Sequence, residues 1–202
     1  MYRLHVRVLA FYLAAMGVAI PAFAQSAPRA ELSGGYQFLN FSSDGENESM
    51  GKGWYFDVTG NLSPMLGIVF QVGGNYKSYE ESVTIGGITS TATANLKVHE
   101  FLGGLRLNAR GNSALVPFAQ VLVGGLNGSA NVSATTTLPG QAPIAFSQED
   151  STTNFGLELG GGVNFGLTDA VGLRVGLDYL RVFEEGGGAN LFRFSAGITI
   201  GR

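Results

Sequence analysis

The last thirteen residues of the chain alternate. Phe192, Phe194, Ala196, Ile198 and Ile200 share one parity, and Arg193, Ser195, Gly197, Thr199 and Gly201 share the other. A period of two puts these sets on opposite faces of a strand and excludes a helix, whose faces repeat every 3.6 residues. One face is apolar and the other is small, polar or charged. Such a strand is stable only where its apolar face meets a second protein layer or lipid.

Seven earlier segments repeat the pattern, at 31–41, 53–62, 66–79, 96–108, 115–126, 153–165 and 171–182. The cleanest is 153–165, with Phe155, Leu157, Leu159, Val163 and Phe165 against Glu158, Gly160, Gly162 and Asn164. The fourth segment, 96–108, is the least regular. The connections at 63–65, 109–114 and 167–170 are brief. Those at 42–52, 80–95, 127–152 and 183–190 are long and rich in Gly, Ser, Thr, Asn and Glu. Short turns at one end and long polar loops at the other are the pattern of an antiparallel barrel set in a bacterial outer membrane. The expected fold is therefore all-β: a single eight-stranded antiparallel up-and-down transmembrane β-barrel, with the long loops outside the cell.

The N-terminus reads as an export signal. Arg3 and Arg7 flank a short basic region, residues 8–20 are apolar and uncharged, and Ala22 and Ala24 occupy the small-residue positions of a cleavage site. The expectation is a signal peptide over 1–24, cut after Ala24, and one barrel domain over 25–202. After residue 24 no apolar run is long enough to span a bilayer as a helix. The chain has no cysteine, which excludes disulfides, thiolate metal sites and lipidation at a cysteine.

Alternation alone does not say which face meets lipid, because a soluble ligand-carrying barrel shows the same period inverted. Two features choose the outward-apolar reading. The non-apolar parity carries Glu31, Asp57, Lys77, Glu158, Arg174, Asp178 and Arg193, while aromatics such as Tyr36, Trp54, Tyr76, Phe155 and Tyr179 recur near strand ends, as in interfacial girdles. The interior of an eight-stranded barrel must be filled by side chains, and charges within it must pair. An interior ionic network of Asp57, Glu158, Arg174, Asp178 and Arg193 is expected, with Asp57 approaching across the lumen, Arg193 on the strand beside Asp178, and Arg174 and Asp178 as coupled partners.

The stretch Gly160-Gly-Gly-Val-Asn-Phe-Gly-Leu, the stretch Leu173-Arg-Val-Gly-Leu-Asp-Tyr-Leu-Arg181 and the closing Asn190-Leu-Phe-Arg-Phe-Ser-Ala-Gly-Ile198 resemble the final strands of the outer-membrane β-barrel domain family. That family is similar to the small OmpA- and OmpX-type barrels. The likeness to OmpA covers the barrel alone and implies no peptidoglycan-binding domain. It implies a location and a fold. The partners it implies are outer-membrane lipid and lipopolysaccharide, with periplasmic chaperones and the barrel-insertion machinery during assembly.

No catalytic, cofactor or metal site is expected. The sole histidine after residue 24, His99, is followed by Glu100 and Phe101 rather than by the His-x-Ser pair of barrel deacylases, and a hydroxyl nucleophile needs a base within reach. Residues 25–202 hold all fifteen acids against ten of the twelve bases, so no nucleic-acid surface is expected. Nine of the acids fall in the long connections: Asp44, Glu46, Glu48, Glu80, Glu81, Glu149, Asp150, Glu184 and Glu185. They read as a solvated, self-repelling rim, with weak divalent-cation binding as the sharper alternative. The expected function is structural or surface-interaction work through the loops, adhesion-like in kind. A narrow passive pore is the alternative, and a lipid-modifying enzyme a third.

Overall fold

The structure is a computed structural model that describes residues 28–43, 46–111, 114–184 and 187–201. The export signal read at 1–24 lies outside the described residues, as do Asp44 and Glu185. The strands are β1 (Ala30–Ser43), β2 (Glu46–Met50), β3 (Lys52–Asn61), β4 (Leu66–Ile85), β5 (Ile88–Asn108), β6 (Leu115–Thr137), β7 (Ile144–Gly166), β8 (Val171–Glu184) and β9 (Gly187–Ile200). Each pairs antiparallel with its neighbours, and β9 returns to β1 from Leu32↔Ile200 to Ser42↔Asn190, which closes the barrel. The nine strands make eight walls, because β2 and β3 share one. Tyr36 pairs with Trp54 and Leu39 with Met50, so two residues of β1 face the three residues Gly51, Lys52 and Gly53. That extra residue is a β-bulge, which bends the wall and separates the two strands.

The outward parity forms an apolar belt. Phe70, Phe101, Val121, Phe155, Leu177 and Phe194 all stand exposed on it. Its border toward the long hairpins can be read from the register. Val72, Phe101, Gly125 and Phe155 lie in one row, and the next row is Gly74, His99, Asn127 and Thr153. At this border Trp54 Nε1 donates to the Tyr76 hydroxyl at 3.1 Å, and that hydroxyl lies 3.2 Å from His99 Nε2. Indole, phenol and imidazole are apolar bodies with polar tips, which suits a lipid–water boundary.

The segments read as long loops are largely strands. Connection 80–95 is the continued pairing of β4 with β5 up to Ile85↔Ile88, closed by Gly86 and Gly87 with φ of 59° and 81°. A two-residue turn with positive φ at both positions matches the twist of its strands, and glycine adopts it without strain. Most of 127–152 is β6 paired with β7 up to Thr136↔Ile144. Likewise 42–52 contains the β1–β2 hairpin. A four-stranded sheet, β4 to β7, therefore rises beyond the belt.

Across the border the two faces exchange character. Below it the outer side is apolar, and the lumen side carries the charged and amide groups with an apolar cluster toward the border. Above it the outer side reads Ser78, Glu80 and Ser82 on β4, Thr89, Thr91 and Thr93 on β5, and Asn131, Ser133 and Thr135 on β6. The side continuous with the lumen wall carries Tyr79, Val83, Ile85, Ile88, Val132 and Phe146. The lipid-facing demand for apolar side chains ends at the border, and the outer face turns to threonine and serine, which favour strands and accept water.

Candidate functional site

The lower lumen is a paired ionic layer. Asp57 on β3 lies between two guanidinium groups: Arg106 Nη1 is 3.2 Å from Oδ1, and Arg174 Nη1 is 2.6 Å from Oδ2. Arg174 also faces Glu31 at 3.6 Å, and Glu31 pairs with Arg110 at the short-turn end. The Phe118 ring lies beneath both Arg106 and Arg174, with centroid distances of 4.8 and 5.0 Å. A second node surrounds Arg193, which meets Glu100 at 2.6 Å, Glu158 at 2.7 Å and Asp178 at 2.8 Å. Gln120 joins the nodes. Its Oε1 accepts from Arg106 at 2.7 and 2.9 Å, and its Nε2 donates to Glu158 at 2.7 Å and to Asp178 at 3.2 Å. A desolvated charge is tolerable when paired and hydrogen-bonded in this way.

Backbone gaps make room for these side chains. A Cβ on Gly160 would lie 1.8 Å from Asp178 Oδ1, and one on Gly73 would lie 2.5 Å from Glu100 Oε1. Each glycine is the space its neighbour's carboxylate occupies.

Little of the layer is empty. The void among Tyr55, Asp57, Arg106, Phe118, Arg174 and Arg193 measures about 10 Å³, room for one water at most. Toward the hairpin end the lumen is filled by an apolar cluster that includes Leu39, Met50, Leu122, Leu126, Leu180 and Leu191. Above it opens a mouth pocket of about 300 Å³, with Phe41, Met50, Leu96, Val98 and Ala130 among its lining and Asp150 and Thr152 at its edge.

The five residues expected to form the interior network, Asp57, Glu158, Arg174, Asp178 and Arg193, all lie buried in this lumen. Asp57 approaches across the lumen and Arg193 meets Asp178 and Glu158 as expected, and only the Arg174–Asp178 partnership differs. Arg174 turns to Asp57 and Glu31, and Asp178 to Arg193; no Arg174–Asp178 ion pair occurs among the described residues. Asp178 lies one row from Glu158 and directly opposite Arg193 in the β8–β9 register, which sets that choice. The sequence reading missed Arg106, Glu100 and Gln120. Arg106 sits between Leu105 and Leu107 on β5, and that flanking of a charge by outward leucines was the available signal.

The acidic rim is spread rather than gathered. Glu48 on β2 pairs with Lys77 and accepts from the Tyr79 hydroxyl at 2.5 Å. The bonds from Lys77 and Tyr79 hold its carboxyl below the ordinary value of 4.5 and raise the Lys77 ammonium. Glu80 and Glu149 face outward, Glu81 and Asp150 face inward, and Glu184 ends β8. Among the described residues none of these five takes an ion pair, and no group of three or more His, Asp or Glu could hold a metal ion. Glu46 lies in β2.

An apolar belt around a lumen of paired charges defines a small transmembrane barrel, here an integral protein of the outer membrane. The chain belongs to the outer membrane protein beta-barrel domain family, which matches residues 10–199. No curated protein sequence matches the chain. Among solved structures it is similar to Ail, the attachment invasion locus protein of Yersinia pestis, in complex with the heparin analogue sucrose octasulfate. The identity is 16%, the TM-score 0.55, and the match covers 86% of this chain and 98% of that one. Neisserial surface protein A is similar at 13% identity and a TM-score of 0.52, over 88% of this chain and 100% of that one. At these identities the likeness is one of fold.

Proposed function

We propose that the chain is a non-conducting surface protein whose β4–β7 hairpins are its interaction surface, with an attachment-like role. The observation that carries this reading is the paired sheet that rises past the belt. A hairpin with its backbone bonds satisfied presents side chains in fixed positions, which an irregular loop does not. By the rule for outer-membrane barrels the short turns lie in the periplasm and the long hairpins outside. Residues 1–24 would serve export and be removed after Ala24. Outer-membrane lipid and lipopolysaccharide would surround the belt, and periplasmic chaperones and the insertion machinery would act during assembly.

The Ail structure was solved with a sulfated ligand, and the fold supports a similar surface role. The ligand class would differ. Glu80, Glu81, Glu149, Asp150 and Glu184 outnumber Lys52 and Lys97 at the hairpin end here, with Lys77 already paired, so a polyanion would meet net repulsion. A filled lumen weighs against the pore alternative. Among the described residues the hydroxyl that meets His99 is the phenol of Tyr76, 3.2 Å from Nε2 at the lipid border.

The test is attachment of cells carrying the full chain against cells carrying a variant with residues 79–94 and 129–151 removed. Equal amounts of both barrels in the outer membrane, with attachment lost only in the trimmed one, is the expected result. Unchanged attachment would overturn the reading.

A further inference from the structure

Resting on the surface-protein reading, we infer that the inner face of the β4–β7 sheet is a docking site for a cationic amphipathic polypeptide segment in extended form. Val83, Ile85, Ile88, Val132, Ile144 and Phe146 project from this face with exposures of 43–75%. They stand beyond the lipid belt, on the side that faces the barrel axis, so lipid does not cover them. The register arranges them in rows. Glu81, Ala92, Ala134 and Phe146 form one, and Val83, Ser90, Thr136 and Ile144 the next. In these two rows the middle strands carry only Ala, Ser and Thr, which leaves a shallow trough there between the larger residues of β4 and β7.

The trough has a floor and a charge. Below it, past the row Tyr79, Ala94, Val132 and Gln148, lies the mouth pocket of about 300 Å³, where Leu96 and Ala130 lie in the row Lys77, Leu96, Ala130, Asp150 and Lys97, of the outward parity, also lines the opening. Lys77 in that row is held by Glu48. Glu81 and Asp150 share the apolar face and have no ion-pair partner among the described residues. A segment with apolar residues on one side and lysine or arginine along its length would cover the apolar rows, place one large apolar side chain in the pocket and satisfy both acids. Four strands span about 14 Å and the eight-residue rise from Lys77 to Ile85 about 27 Å, a length that nine extended residues fill. A second copy of this chain would bring Glu81 and Asp150 against the same acids, and an anionic lipid headgroup would meet them too.

The probe is a nine-residue peptide of alternating Val and Lys, titrated against the full barrel in nanodiscs of zwitterionic lipid and read by fluorescence anisotropy. Its Val–Glu counterpart is the charge control. The Val–Lys peptide is expected to saturate the barrel and to release as salt is raised, since exposed charge pairs are screened. Val83→Ser with Phe146→Ser, and separately Glu81→Gln with Asp150→Asn, should each weaken it at least about tenfold, the equivalent of one or two lost contacts. All four positions are exposed, so folding is expected to survive, and the mobility of the folded barrel on unheated gels checks that it has. Equal binding of the Val–Glu peptide, indifference to both double substitutions, dimers in sedimentation, or displacement of the peptide by a fatty-acyl probe would each overturn the inference. A barrel that ignores the peptide yet attaches through its hairpins removes only this inference. Attachment that survives hairpin removal removes the parent reading.

Discussion

Arg174 on β8 crosses the lumen to Asp57 on β3, with Nη1 2.6 Å from Oδ2 and both side chains almost wholly buried. β9 and β1 lie between these strands along the wall, so the pair is a chord across the barrel and not a contact between neighbours. It fixes two distant walls at one separation.

That chord sets the first expectation. Removing one partner of a desolvated pair strands the other charge and typically costs about 3–5 kcal/mol. Arg174→Ala and Asp57→Ala should each destabilise the barrel on that scale, and the double change should fall short of the sum by about 0.5–3 kcal/mol. Arg174→Ala with Asp178→Ala should show a smaller coupling, since among the described contacts these side chains connect through Asp57, Arg106 and Gln120 in turn. Urea unfolding in lipid vesicles measures both cycles. Equal coupling in the two would mean that the charges are not paired as described.

A second expectation concerns the Gly160 gap. Gly160→Ala places a methyl group where Asp178 Oδ1 lies and should cost about 1–3 kcal/mol through the forced shift of a packed carboxylate. Gly60→Ala on β3 meets nothing within 4 Å and should be neutral or slightly stabilising. The same unfolding measurement compares them. Equal losses would show that backbone freedom, not the space beside Asp178, matters at these sites.

The eight walls were legible because lipid on one side and packed charge on the other give a strong period of two. The hairpin extensions were not. In Thr89-Ser-Thr-Ala-Thr-Ala94 the alternation continues, but Thr and Ala differ little in hydropathy, and the polarity is inverted relative to the belt. The pattern thus looks like a polar loop until pairing shows it. The lumen was legible by parity and not by partner. Parity places Arg174 and Asp178 on one face of one strand, whereas which carboxylate each guanidinium meets depends on the chord across the barrel, and no spacing within a strand encodes that. On β5, Leu102 lies inward among charged neighbours and so hid Glu100 and Arg106.

Glu48 and Lys77 give a pH dependence. Glu48 is held below its ordinary 4.5, so the contribution of this contact is full above that value and is lost as pH falls through the lowered folded value. The unfolding difference between the native chain and Glu48→Gln should be constant at neutral pH and vanish in acid below the ordinary carboxylate range. A difference that persists through that range would assign it to packing. The pair is half-exposed and its effect should shrink in salt.

Topology can be checked on intact cells. An epitope inserted between Pro139 and Gly140, at the β6–β7 turn, should be reached by antibody without permeabilisation. One inserted between Thr168 and Asp169, at the β7–β8 turn, should be reached only after it. The reverse pattern would invert the barrel.

The closed lumen is tested most directly by planar-bilayer conductance of the refolded barrel. The native chain should show no steady current, because the ionic layer leaves a void of about 10 Å³ and the apolar cluster covers it. Arg193→Ala, which unties Glu100, Glu158 and Asp178 together, should admit water and bring measurable current events. Steady ohmic current through the native barrel would contradict the closed lumen and make the chain a pore.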